Sequence, residues 1–383
     1  MRNSGVGAQA AKISTGVVLS TAPGHLPVRC SVKNGPVAPM IDLLMPIWRR
    51  VLQRASIQVE DNFFDLGGNP SLATRLFSDI AAACGRHLTP VWIYQAPTVK
   101  ALAEILEQSS TAVRLPPLVL LRAGTLGTPI FMAHGMGSNV LELFELVKHI
   151  AVDSSIYGMQ AKGADGVDEP LERIEDMAHF HLTAIKKLQP HGPYLLIGYS
   201  FGGLVTLEIA QRLSENGERV ALLAMLDSYP HKRNLRLGQY TRLIARQAKR
   251  HASIAMQLPI RQALCYLTRR SERRSYASRD GGEQAIDREA VSGPFAQVTE
   301  SVLGADVRAL RHYSPRFYQG KVNFVRAEIT TDFPDDAAAV WADSVDEFEV
   351  ETVPGDHQSI LTAHAESLAS VLSRYLRGIS DFG

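Results

Sequence analysis

The sequence predicts an α/β domain built on a mostly parallel sheet and preceded by a small all-α bundle. Apolar positions at helical spacing dominate residues 39–109, whereas beyond them short apolar strands alternate with amphipathic helices. Between the two lies Gln108-Ser-Ser-Thr-Ala, which carries no apolar period and marks a boundary near residue 110. A chain of 383 residues has room for about two to three domains of roughly 150 residues each.

Residues 1–38 are rich in Gly, Ser, Ala and Pro and read as a disordered leader or linker. Ser and Thr interrupt the weakly apolar stretch from Thr15 to Ala22 too often for a signal-peptide core. In the bundle, residues 39–109, a first helix from Ile41 to Leu52 carries Leu43, Leu44, Ile47, Trp48 and Val51. The loop Asp61-Asn-Phe-Phe-Asp-Leu-Gly-Gly68 follows. A second helix is expected from Ser71 to about Ala83, with Leu72, Leu76, Phe77 and Ile80 on one stripe, and a third from Thr98 to Leu106. Residues 110–116 read as a linker and 117–383 as the α/β domain. Its strands are expected at Pro129–Ala133, Ile156–Met159, Tyr194–Ile197, Ala221–Leu226, Val322–Arg326 and Phe348–Val353. An insertion at about 229–317, with a helical pattern of Tyr240, Leu243, Ile244 and Ala248, has the length of a lid.

Composition narrows the function. With 45% hydrophobic and 21% charged residues, and no apolar run near the roughly 18 residues of a membrane span, neither a membrane-spanning nor a wholly disordered chain is expected. The net charge of +1, from 40 basic and 39 acidic residues, lacks the footprint of a nucleic-acid binder. Cys30, Cys84 and Cys265 fall in no ligand or disulfide spacing, so no metal is expected and the chain reads as cytoplasmic.

The sharpest motif is Gly198-Tyr-Ser-Phe-Gly202, between the apolar run Tyr194-Leu-Leu-Ile and the helical run Leu204-Val-Thr-Leu-Glu-Ile-Ala. Strand, tight turn and helix are the context in which a serine is presented on a strained bend, with helix N–H groups behind it. A serine hydroxyl is a poor nucleophile at neutral pH, so Ser200 requires a histidine base and a carboxylate to orient it, in the chain order Ser, Asp, His. Asp227 ends the strand Ala221-Leu-Leu-Ala-Met-Leu, although a turn Asp before Ser228 and Pro230 would look the same. His357 lies between the last strand and the last helix, in Val353-Pro-Gly-Asp-His-Gln, and is the best placed of 12 histidines. Ala133-His-Gly-Met-Gly137 suggests a second loop at this edge. There the Met136 N–H, with that of Phe201, would make a two-donor oxyanion hole, and His134 reads as a turn residue.

These residues resemble a known family. From about Pro129 to Gly383 the chain looks like the α/β-hydrolase-fold thioesterase domain that ends non-ribosomal peptide synthetases and some polyketide synthases. The likeness rests on Gly192-Pro-Tyr-Leu-Leu-Ile-Gly-Tyr-Ser-Phe-Gly-Gly203, Leu226-Asp227, Tyr313, Tyr318-Gln-Gly320 and Pro354-Gly-Asp-His357. It implies a serine thioesterase that releases an acyl or peptidyl group from a carrier, by hydrolysis or by cyclisation, with a variable lid shaping the acyl pocket. Residues 39–109 are similar to a peptidyl carrier domain, through Asp61 to Gly68 and Tyr94-Gln-Ala-Pro-Thr98. In that family the serine bearing 4′-phosphopantetheine stands two residues after the second glycine. Here that position is Pro70, and Ser71 comes one residue late. Proline suits the first turn of a helix, so the bundle can fold with it. A one-residue displacement turns a side chain by about 100° and misaligns Ser71 with a modifying transferase. Expected partners are therefore a carrier protein or upstream synthetase modules, with neither nucleic acid nor membrane. The insertion is locally basic from Lys232 to Arg274, which reads as solvated helix faces or as a docking surface for an acidic carrier or an acyl-CoA. Three other readings remain open: an interaction or docking module with a degenerate carrier, an editing thioesterase acting in trans on another carrier or an acyl-CoA, and a general carboxylester hydrolase.

Overall fold

Helical periodicity in the first segment becomes three helices, α1 (Ala38–Leu52), α2 (Pro70–Cys84) and α3 (Val99–Glu107), with a 3-10 turn at Pro90–Tyr94. The computed structural model describes residues 38–108, 114–262, 264, 295–330 and 333–380. The expected leader, much of the linker and the insertion's residues 265–294 lie outside those residues. Helix α2 starts at Pro70 rather than Ser71. The Asn69 side chain caps it by accepting the Leu72 N–H at 3.0 Å, and proline costs nothing at a position whose N–H lacks an intrahelical acceptor. Trp48, Leu44, Phe63, Leu76, Phe77 and Leu102 close the bundle's core, with Phe63 edge-on to Trp48.

The second part alternates strands and helices: β1 (Leu118–Arg122), β2 (Ile130–Ala133), α4 (Phe144–His149) after a 3-10 turn at Val140–Leu143, then β3 (Ile156–Met159), α5 (Ile174–Leu188), β4 (Tyr194–Tyr199) and α6 (Phe201–Glu215). It continues with β5 (Val220–Leu226), α7 (Leu237–Gln257), α8 (Ala296–His312), β6 (Tyr318–Ile329), α9 (Ala337–Trp341), β7 (Val345–Asp356) and α10 (Ala365–Ser380). The strands form one sheet in the order β1-β3-β2-β4-β5-β6-β7, parallel throughout except that β1 runs antiparallel to β3. Side chains of a strand alternate between faces, and the two cores follow that rule. Phe131, Leu196, Leu223, Met225 and Phe324 pack with α5 and α6, while Ile130, Met132, Ile197, Ala224 and Val325 pack with α4 and α10.

All six expected strands are present, and three of them, β4, β6 and β7, extend at least two residues beyond their expected ends. β1 was not among them: it follows directly on Pro116-Pro117, pairs on one side only and is half-buried, so it lacks the apolar run that marks central strands. The stripe of α7 also differs. Leu243, Gln247 and His251 are the buried residues, whereas Tyr240 is exposed. The basic insertion is less free than its local sequence suggests. Arg236 donates to Asp343 at 3.1 Å, and Arg246 pairs with Asp335, two acids supplied from beyond β6. Among the described residues no helix is long and apolar enough to cross a membrane.

Phe324 is fully buried in the middle of β6, edge-on to Tyr229 at 5.3 Å. Phe324→Ala is expected to cost about 3–5 kcal/mol, read as a lower denaturant midpoint followed by near-UV circular dichroism.

Candidate active site

Strand β4 delivers its chain to the sheet's C-terminal edge, and α6 begins immediately after it, so residue 200 must turn through a tight bend. Ser200 takes φ +53° and ψ −119°, a conformation that side chains other than glycine rarely adopt. The neighbouring strand holds the bend. The Ser200 N–H donates to Leu226 O at 2.8 Å, and Ser228 Oγ donates to Ser200 O at 2.5 Å. Gly202 is required here, because a Cβ at that position would sit 2.4 Å from the His134 carbonyl oxygen.

The other two residues named from the sequence meet Ser200 at this edge. Asp227 follows β5 and is 1% exposed; its carboxylate accepts from His357 Nδ1 at 2.7 Å and from the Ala327 N–H at 3.3 Å. That bond keeps the histidine proton on Nδ1, which leaves Nε2 to accept the Ser200 hydroxyl at 2.9 Å. The imidazole stacks on Tyr199 at 5.0 Å and meets Phe333 at 4.8 Å, and Tyr199 Oη donates to the His357 carbonyl at 2.6 Å. A hydroxyl, an imidazole and a buried carboxylate in such a chain can activate the oxygen for attack on a carbonyl and then pass its proton to a leaving group.

Met136 lies on the loop after β2, whose last residue Ala133 pairs with Gly198 of β4, so this loop and the Ser200 bend share the sheet edge. Gly135 and Gly137, on either side of Met136, donate their N–H groups to Glu142 Oε2 and Asp306 Oδ2, each at 2.8 Å. Among the described residues the Met136 N–H has no partner, and Phe201, as the first residue of α6, has no intrahelical acceptor. The structure does not bring Ser71 to this site as one of its contacts; it is exposed in the first turn of α2.

Sequence reasoning missed Tyr199, Glu142 and Asp306. Tyr199 was visible as the variable residue before Ser200, while Asp306 had only one local signal, a carboxyl on the face that Val302, Ala305 and Ala309 bury. His134, read as a turn residue, is buried on the loop after β2, and its Nδ1 lies 2.8 Å from Gly135 O. With His181 and Asp306 it lines a cavity of about 30 Å³ behind Phe201 and Gly202. Burial lowers His134 to about 4 and His181 to about 3, and raises Asp306 to about 7.

The fold and this edge define an α/β hydrolase of the serine type. The thioesterase-domain family model matches residues 128–376, and the phosphopantetheine attachment site model matches residues 42–106. The chain belongs to the thioesterase family, with a domain of the phosphopantetheine-attachment type ahead of the thioesterase domain. A dimodular nonribosomal peptide synthase of Bacillus subtilis is 39% identical over 198 residues, 52% of this chain and 8% of that protein. The probable non-canonical nonribosomal peptide synthetase CymA of Salinispora arenicola is 30% identical over 359 residues, 92% of this chain and 4% of that one. The chain thus spans less than a tenth of the length of these relatives. A solved holo four-domain nonribosomal peptide synthetase bound to AMP and glycine shares the fold over 92% of this chain and 27% of its own, with TM-score 0.52 and 22% identity.

His134 and His181, both buried with lowered pKa values, make stability depend on pH. Their folded pKa values lie below the 6.5 of an unfolded histidine, so the unfolded chain binds more protons, and stability falls as pH drops from about 6.5 through 4 and 3. Asp306, raised from 3.8 to about 7, opposes them, since its contribution is lost as pH rises through that window. Glu142, which burial also raises, opposes them in the same sense, so the prediction is a difference between variants: from pH 6.5 to 4 the denaturant midpoint of His181→Leu should fall less, or rise more, than that of the wild type.

Proposed function

We propose that this protein releases acyl or peptidyl groups from a carrier thioester through an acyl-enzyme on Ser200, with His357 as base and Asp227 as its orienting carboxylate. The observation that carries this is the unbroken Ser200–His357–Asp227 hydrogen-bond chain on a thioesterase-family fold. As Oγ attacks the thioester carbonyl, its proton passes to Nε2, and Asp227 steadies the imidazolium. The N–H groups of Met136 and Phe201 hold the oxyanion. Collapse breaks the C–S bond and the proton goes to the departing sulfur. Water, or an amine or hydroxyl of the acyl chain itself, then gives a proton to His357 and attacks the ester, which frees an acid or a ring and restores Ser200.

The carrier domain does not fit its own prosthetic group. At the position where the family bears phosphopantetheine, Pro70 has no hydroxyl to phosphorylate, and Ser71 points about 100° away along α2. In our reading the bundle carries no arm, and the acyl group arrives in trans, on another carrier protein or on coenzyme A. The exposed cations Arg242 and Lys249 of α7 support such a negatively charged carrier of cargo.

Ser200→Ala should abolish covalent labelling by a fluorophosphonate and lower thioester turnover roughly 10⁴-fold or more; retained labelling would point to another nucleophile. Incubation with a phosphopantetheinyl transferase and coenzyme A should leave the intact mass of the wild type unchanged, whereas Pro70→Ser should gain the arm. A wild-type mass increase that Ser71→Ala removes would make the shifted serine the attachment point.

A further inference from the structure

We propose that Asp306, on the insertion helix α8, is a positioning residue for the oxyanion hole: its carboxyl group holds Gly137, and with it the adjacent Met136 N–H, in place only while α8 is seated on the site. This rests on the role given above to Met136 and Ser200.

The contact joins parts of the chain 169 residues apart. Asp306 is 3% exposed, on the buried face of α8, and among the described residues the one hydrogen bond to its carboxyl is the Gly137 N–H at 2.8 Å. A carboxyl in an apolar setting costs stability unless it is well partnered, and one N–H is a thin return for a position that Leu or Ala would fill. The same helix shapes the loop sterically. Gly137 adopts φ +64°, and a Cβ on it would stand 2.7 Å from Leu303 Cδ1, so α8 is packed against the loop backbone.

On the other side of Met136, Glu142 Oε2 takes the Gly135 N–H. Glu142 lies on the turn between β2 and α4, within the sheet domain itself, so only the Asp306 bond is lost if α8 moves. Two carboxyl groups thus clamp the amides on either side of the one N–H that points free. Burial raises Asp306 to about 7, and the protonated and the ionised carboxyl alike present an oxygen that accepts from Gly137. An asparagine amide offers the same oxygen in the same shape, whereas alanine offers none. Seating of the insertion helix and competence of the hole become one event, so substrate that packs under α8 helps to assemble the hole that stabilises its tetrahedral intermediate.

The test uses the full chain and a short acyl N-acetylcysteamine thioester, which needs no carrier. Asp306→Ala should lower kcat about 10- to 100-fold with KM within about twofold, a fraction of what losing an oxyanion donor costs, and Asp306→Asn should stay within about threefold of wild type. In a Ser200→Ala background, which removes turnover, deuterium uptake of the segment 134–139 should rise in Asp306→Ala and not in Asp306→Asn. Should Asp306→Ala fail to fold, Leu303→Ala, which loosens α8 against Gly137 and spares the carboxyl, should show the same faster uptake and a smaller loss of kcat. Unchanged kcat and uptake, a loss confined to KM, or Asp306→Asn as slow as Asp306→Ala would each overturn the proposal. A Ser200→Ala protein that keeps its turnover would instead overturn the underlying reading of the site, and uptake at 134–139 would still report on the clamp.

Discussion

The bend at Ser200 is the constraint on which the rest of the site depends. A strand that ends one residue before a helix begins leaves no room for relaxed backbone, so the serine sits in a left-handed conformation with its side chain outward. Strain of that kind persists only where neighbours hold it. Here the neighbours come from β5: Leu226 O receives the serine amide, and Ser228 Oγ holds its carbonyl. Asp227 lies between them, also at positive φ, and its own N–H donates to Val325 O at 2.7 Å. The loop that holds the bend is therefore the loop that supplies the carboxylate, and a distortion of one moves the other.

Around this bend the protein uses buried and part-buried carboxyl groups in three ways. Asp227 fixes an imidazole tautomer, Glu142 and Asp306 fix backbone amides, and Glu208 on α6 gathers Arg212 at 2.9 Å, Arg316 at 3.2 Å and the Tyr313 hydroxyl at 3.2 Å. The last cluster lies along the helix that follows the nucleophile and ties the end of α8 to it. Asp227, Asp306 and Glu208 accept hydrogen bonds from groups more than 100 residues away in sequence, and Glu142 from the nearby Gly135, which is how a polar group is kept inside without an uncompensated desolvation cost.

The carrier bundle shares a core with the thioesterase domain. Val119, Val140 and Leu141 of the sheet domain are buried in the cluster that also contains Trp48, Phe63 and Leu102, and Phe64 stacks on Phe144 at 5.4 Å. Val140 and Leu141 belong to the turn that carries Glu142. The bundle thus backs the segment that holds Gly135, while its helix start carries proline where a carrier bears serine. Folding and modification make different demands on residue 70: the helix needs a suitable φ and tolerates a missing N–H, but the chemistry needs a hydroxyl.

Much was legible in the residues alone. Helical periods in the bundle, apolar strand runs in the sheet and the Gly198–Gly202 turn are local patterns, because they follow from backbone geometry and from burial repeated every two or about 3.6 residues. For the same reason Ser200, Asp227 and His357 could be singled out: each ends or follows a central strand, and the ends of parallel strands share one edge. The edge strand β1, the acids that meet the basic insertion, and the pair Glu142 and Asp306 were not legible. Hydrogen bonds such as Gly137 to Asp306 depend on where a helix lands after the chain has closed, and no local period records that. The sequence by itself determined most of the elements and the order of reactive groups along the chain; only the tertiary structure decided that Asp306 holds the loop around Met136, because that is a matter of distance between segments 169 residues apart.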